Sequence, residues 1–132
     1  MRQHALLGTV LAALLVGGGW VAWTATARPH IVVRPPTVDF GQLTERRTRI
    51  LEVRNAGRAP LRVLAVTASC GCTTPHIGDT TVAPGGTTTL SITFDPVAHG
   101  PQGGPARHAV YVRTNDPRVP EAEIEVRAVV IK

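Results

Sequence analysis

The stretch Thr87-Thr88-Thr89-Leu90-Ser91-Ile92-Thr93-Phe94 decides the fold. Leu90, Ile92 and Phe94 fall on every second position with Thr88 in the same row, and Thr89, Ser91 and Thr93 fall between them. A period of two belongs to a β-strand with one dry and one wet face, as antiparallel sheets allow. Pro84-Gly85-Gly86, just upstream, reads as the turn that starts it.

The same grammar extends in both directions. Upstream, Leu61–Ala68 reads as a strand. Arg49–Arg54 alternates, with Leu51 and Val53 opposed to Glu52 and Arg54, and ends at the turn Asn55-Ala56-Gly57. Ile31–Arg34 and Thr37–Phe40 are extended and split by Pro35-Pro36. Downstream, Arg107–Thr114 carries Val110 and Val112 on one face, and Glu123–Ile131 sets Ile124, Val126, Ala128 and Val130 against Glu123, Glu125 and Arg127. Pro96–Ala106, rich in Gly and Pro, reads as a mobile loop. About seven antiparallel strands in roughly a hundred residues predict an all-β, immunoglobulin-like β-sandwich over residues 28–132. Both tryptophans precede this region and the two cysteines are one residue apart, so the antibody-type Cys…Trp…Cys framework is absent.

Residues 1–27 are of another kind. Arg2 and His4 precede the uncharged run Ala5–Trp23, and Ala25 and Ala27 form an Ala-x-Ala site before Arg28. These are the parts of a secretory signal. As a helix the run would reach about 28 Å, close to the roughly 30 Å hydrocarbon layer, with Trp20 and Trp23 at its outer end. A cleaved signal peptide and a retained N-terminal membrane anchor over residues 5–23 both remain open. Either one predicts an N-terminal hydrophobic helix and an extracytoplasmic location, periplasm or cell surface, for the sandwich.

The net charge of +5 comes from thirteen arginines and one lysine scattered along the strands, several beside acids. No aromatic platform interleaves with them, which argues against nucleic acid and for a solvated strand face. There is no Gly-x-Ser-x-Gly, His-Glu-x-x-His or phosphate-loop pattern. Asp79, Asp95 and Asp116 read as turn acids, and His30, His99 and His108 show no partner in the sequence.

Cys70-Gly71-Cys72 is the one chemically unusual element. A bridge across it would close a three-residue loop, for which the chain-entropy formula gives only about 1.6 kcal/mol. Stabilising the fold is therefore a poor reason for such a bridge, and it would be comparatively easy to reduce. Three readings stand side by side: a redox-active dithiol; a soft-metal site for Cu or Zn through Cys70 and Cys72 with His76 as third ligand; and a tight bridge or pair of sheltered thiols that only shapes the loop.

Several runs together resemble a known family: Val38-Asp39-Phe40-Gly41, Val53-Arg54-Asn55-Ala56-Gly57, Ala59-Pro60-Leu61, Ala68-Ser69-Cys70-Gly71-Cys72-Thr73, Pro84-Gly85, Phe94-Asp95 and Val112-Arg113-Thr114-Asn115-Asp116. The chain is similar to the bacterial exported family known as domain of unknown function 1573, related to the immunoglobulin-like modules of the ASPM, SPD-2 and hydin group. The resemblance covers Ile31 to Ile131. It implies a sandwich fold, export and no established catalytic activity, and it carries the Cys-Gly-Cys pattern onto Cys70 and Cys72 without a role. It does not support His76 as a ligand. No cofactor is expected unless the cysteines hold Cu or Zn. The expected function is a non-catalytic interaction or scaffolding module of the cell envelope, with a protein partner added at an open sheet edge. An envelope thiol–disulfide protein and a copper or zinc carrier are the alternatives.

Overall fold

A computed structural model of the chain describes residues 26–132. The predicted hydrophobic helix lies outside the described residues, as does Ala25 of the Ala-x-Ala site. Nine strands follow: β1 Ile31–Arg34, β2 Thr37–Leu43, β3 Arg47–Asn55, β4 Leu61–Ala68, β5 Thr73–Ile77, β6 Thr81–Val82, β7 Thr87–Phe94, β8 Gly104–Thr114 and β9 Glu121–Val130. They form a four-stranded sheet, β1-β3-β7-β5, and a five-stranded sheet, β2-β9-β8-β4-β6.

Each alternation in the sequence becomes a face. Leu51, Val53, Leu90, Ile92 and Phe94 of the first sheet meet Val110, Val112, Ile124 and Val126 of the second, all essentially sealed from solvent. The intervening Glu52, Arg54, Thr87 and Thr89 are exposed. Pro35-Pro36 carries the chain from β1 in one sheet to β2 in the other, where residues without an N–H end the ladder at little cost.

Three expectations need correction. The described residues form nine strands rather than about seven, because β5 and β6 give no alternating apolar signal. The pairing is not wholly antiparallel: β2 runs parallel to β9, Val38 beside Val126 and Leu43 beside Val130. The segment read as loop to Ala106 is already strand from Gly104, which pairs with Val130.

The end of the sandwich where β1 begins is held by two buried polar side chains. Asn55 is completely buried; its Oδ1 accepts from the backbone N–H groups of His30 (3.1 Å) and Gly57 (3.0 Å), and its Nδ2 donates to the carbonyls of Ala59 (2.7 Å) and Val82 (3.0 Å). Gly57 lies so close to the incoming chain that a Cβ would collide with the Arg28 carbonyl and crowd the His30 nitrogen at 2.6 Å.

Asp116, also buried, accepts from Ile31 N at 3.0 Å and Arg118 N at 2.8 Å and pairs with His30 Nδ1 at 3.2 Å. Burial pushes its carboxyl up, but the amides of Ile31, Arg118 and Val119 and the His30 ring together outweigh that and hold it below its ordinary value. A carboxylate depressed in this way stabilises the fold above its unfolded pKa, and the contribution is lost as pH falls through the folded one. The urea midpoint should therefore drop on acidification below about pH 4. The Asp116→Asn variant should be less stable at pH 7 and should respond less to the same acidification. Parallel pH slopes for the two proteins would show that Asp116 is not a source of the acid sensitivity.

Candidate thiol and metal site

The opposite end of the sandwich carries the chemistry. The chain leaves β4 in the five-stranded sheet and enters β5 in the four-stranded one through Ser69-Cys70-Gly71-Cys72. Ser69 fastens the start of this crossing to β8: its N–H donates to the Ala109 carbonyl and its Oγ accepts from Ala109 N, both at 2.9 Å. Thr73 N then donates to the Cys70 carbonyl at 3.1 Å, which closes a tight turn. Cys70 and Cys72 are joined as a disulfide with their Cα atoms 5.2 Å apart.

The two sulfurs have different surroundings. Cys72 is buried, 1% exposed, whereas Cys70 is partly open. Cys70 Sγ also accepts a hydrogen bond from Cys72 N–H at 3.1 Å. Gly71 is exposed, its φ is not in the left-handed region, and a Cβ there would meet nothing. It therefore leaves the approach to Cys70 bare. Next to it lies an open recess of ≈ 350 Å³ lined by Arg46, Gly71, Thr74, Thr93, Asp95 and Ala98.

Two histidines complete the site. After β7 ends at Phe94, Asp95 N donates to the Cys72 carbonyl at 2.8 Å, which ties the β7 exit to the turn. The Asp95 side chain accepts from Val97 N at 3.0 Å and from Arg46 Nη2 at 2.9 Å, and its carbonyl accepts from His99 N at 3.2 Å. This folds the loop so that His99 returns over the turn. The hydrogen bond and charge of Arg46 and the Val97 and Ala98 amides hold the Asp95 carboxyl below its usual value.

His108 arrives from β8, in the core-facing row with Ala106, Val110 and Val112. Its Nε2 lies 3.3 Å from His99 Nδ1. Phe94 forms the floor, with ring centroids 6.2 Å from His108, 5.9 Å from His99 and 5.9 Å from Phe40. Burial, with the neighbouring His99 second, pushes the His108 pKa down, so its ring favours the neutral form. One ligand atom from each of Cys70, Cys72, His99 and His108 lies within 4.8 Å of the other three.

His76 is not part of this group. It is exposed on β5 beside Ser91. Four extended residues at about 3.3 Å each carry it about 13 Å along the chain from Cys72. Closeness in sequence suggested it as the third ligand; the strand takes it away. His99 and His108, read as lacking partners, are the imidazoles that reach the sulfurs. A recess of ≈ 700 Å³ lies at the other end beside His30, Arg58, Asp116 and Arg118. Its one carboxylate, Asp116, is occupied by the bonds that close that end of the fold.

The strand order and the packing of the two faces define the class: an immunoglobulin-like, PapD-like β-sandwich. Within that class the chain belongs to the DUF1573 family, described as protein of unknown function, whose model matches residues 31–130. A crystal structure of a protein of unknown function from Porphyromonas gingivalis W83 is 32% identical, with a TM-score of 0.72 over 84% of this chain and 51% of that one. The chain thus spans about half the length of that relative. The ASH / PapD-like domain 7 of human CEP192 superposes with a TM-score of 0.63 at 13% identity, over 80% of this chain and 87% of that one. The YadV chaperone superposes at 0.55 and 14% identity, over 76% and 50%. These last two likenesses are of fold alone. No curated protein matches the chain.

Proposed function

We infer that the chain is an exported module of the cell envelope that acts on a protein partner by thiol–disulfide exchange at Cys70–Cys72. The observation that carries this reading is the asymmetry of the pair: Cys70 is partly open, beside a bare Gly71, while Cys72 is sealed. A partner thiolate attacking Cys70 Sγ forms a mixed disulfide as the Cys70–Cys72 bond breaks. The electron pair leaves on Cys72 Sγ, which takes up a proton. In the reverse direction the Cys72 N–H already directed at Cys70 Sγ favours the Cys70 thiolate as the attacking group. An oxidising compartment, which the N-terminal segment supports, suits such a couple.

The test is trapping in the full-length protein. Cys72→Ser leaves Cys70 without its resolving partner and should accumulate mixed disulfides with envelope proteins and, on exchange with glutathione disulfide, with glutathione, one glutathione being released. Cys70→Ser should form them about tenfold less, because Cys72 is enclosed. Equal trapping by the two variants, or none by either, would overturn the reading.

A non-catalytic scaffolding role is the second reading, favoured by the outer face of the four-stranded sheet. There Ile50, 70% exposed, stands among the hydroxyls of Thr48, Thr89, Ser91 and Thr93. A partner would meet this face rather than extend the sheet. The outer strands are poor templates: β5 contains Pro75, β2 is bulged after Asp39, β6 has two residues and β1 is four residues long with Pro35 directly after it.

A further inference from the structure

We propose that the reduced form of this end of the sandwich is a four-coordinate site for a thiophilic, closed-shell d10 cation, Cu(I) or Zn(II), ligated by Cys70, Cys72, His99 and His108.

The four side chains come from three separate segments, the β4–β5 crossing, the loop after β7 and strand β8, yet all four ligand atoms fall within 4.8 Å of one another. Imidazole ligands at 2.0–2.1 Å from a tetrahedral ion would be about 3.3–3.4 Å apart. The nitrogens of His99 and His108 are 3.3 Å apart and face each other. Two thiolates and two imidazoles are a ligand set suited to such ions, which commonly hold four such ligands tetrahedrally.

The support around the ligands is of the kind a binding site needs. Phe94 and the core-facing row of β8 fix His108; the hydrogen bond from His99 N to the Asp95 carbonyl fixes the loop that presents His99. Asp95, anchored to Arg46 and to the Val97 amide, holds the loop in place and is not itself a ligand.

The site exists only after reduction. A dithiol opens the Cys70–Cys72 bond by giving two electrons and two protons and becoming a disulfide; a phosphine gives the two electrons and becomes the phosphine oxide, with water supplying its oxygen and the two protons. Binding of the cation then releases both thiol protons to solvent. The thiolate is the metal ligand, and the disulfide sulfurs carry no thiolate charge, so the oxidised chain does not hold the ion. Redox state becomes a gate on metal occupancy. This inference shares with the exchange reading only the requirement that the disulfide be reducible. Chemical reduction meets that requirement even if no partner protein performs it.

The experiment uses full-length protein in detergent, reduced with a phosphine, freed of reductant anaerobically and titrated with Zn(II) and with Cu(I) in separate arms against chromogenic chelators. Co(II) serves as the spectroscopic probe. One ion per chain is expected in at least one arm, with none taken up by the disulfide form. Co(II) should give intense tetrahedral d–d bands together with a thiolate charge-transfer band. His99→Gln and His108→Gln should each weaken binding by at least the roughly 10–100-fold that outer-shell changes already produce, and should alter the Co(II) d–d bands. His76→Gln should bind as the unaltered protein does. His99 lies on a loop, so its variant keeps the test valid if His108→Gln fails to fold. Absence of stoichiometric binding by the reduced chain in both arms overturns the proposal. So does undiminished affinity in His99→Gln, which would reduce the site to a bare dithiol. Mixed-disulfide trapping is scored separately, so either reading can fail while the other stands.

Discussion

The Asn55→Ala variant should lose about 3 kcal/mol or more of folding stability and be largely unfolded in conditions where the unaltered domain is native. The reasoning is an accounting of partners. The Asn55 amide satisfies two N–H groups and two carbonyls in a fully buried place. Truncation orphans all four, and a buried unsatisfied donor or acceptor costs about 1–3 kcal/mol. Water entering the vacated space recovers part of that, which sets the lower figure. Against a total of about 5–15 kcal/mol for a domain of this kind, the loss is a large share.

A companion variant separates hydrogen bonding from volume. Asn55→Asp keeps the oxygen that accepts from His30 and Gly57 but turns a second acceptor toward the Ala59 and Val82 carbonyls. It should be as unstable as Asn55→Ala at pH 7 and should recover in part on acidification, when the carboxyl regains a donor. Urea midpoints across pH decide this. Near-native stability of Asn55→Ala would mean that the turns at residues 56–59 and 82–86 do not depend on that amide.

These residues also show which parts of the fold could be read in the sequence and why. Alternation reports which side chains face inward, so the rows of β3, β7, β8 and β9 were legible, and so was the sandwich. Alternation does not say which strand is the neighbour. The parallel pairing of β2 with β9 joins residues far apart in the chain, such as Val38 and Val126, and is decided by how the two sheets close. β5 was invisible for a related reason. Thr73-Thr74-Pro75-His76-Ile77 has no apolar period and contains a proline, which an outermost strand tolerates.

For the site, the sulfurs were legible and their imidazoles were not. The Cys-Gly-Cys run is unusual in any context, and its poor value as a staple follows from loop length alone. His76 was proposed because it is near in sequence, but extended chain moves four residues away rather than bringing them back. A usable signal for His108 did exist. Val110 and Val112 were read as an inward row, and His108 shares their parity, so a histidine on the dry face of a strand was already implied. Nothing comparable marks His99. Its position depends on Asp95 binding the Val97 and His99 amides and the Cys72 carbonyl at once, a fold of the loop that composition does not announce. The buried Asn55 and Asp116 look like ordinary turn residues in the sequence, because burial of a polar group is a property of the assembled end.

Phe94 links the core to this chemistry, and its replacement has the other large expected effect. The ring is completely buried, touches Phe40 on the core side and carries both imidazoles on the other. Phe94→Ala should cost about 3–5 kcal/mol, the usual penalty for emptying an aromatic core position. That loss alone does not distinguish packing from site support. Phe94→Leu does: it restores most of the apolar volume, should cost about 1 kcal/mol, and gives up the flat surface on which His99 and His108 rest. The leucine variant should therefore fold and keep its disulfide, yet bind Co(II) about tenfold more weakly once reduced, with broadened d–d bands. Urea denaturation reads the first effect and chelator competition the second. A leucine variant with unaltered Co(II) affinity would mean that the histidines hold their places without the ring. An alanine variant within about 1 kcal/mol of the unaltered protein would mean that this end of the sandwich is not packed around Phe94 at all.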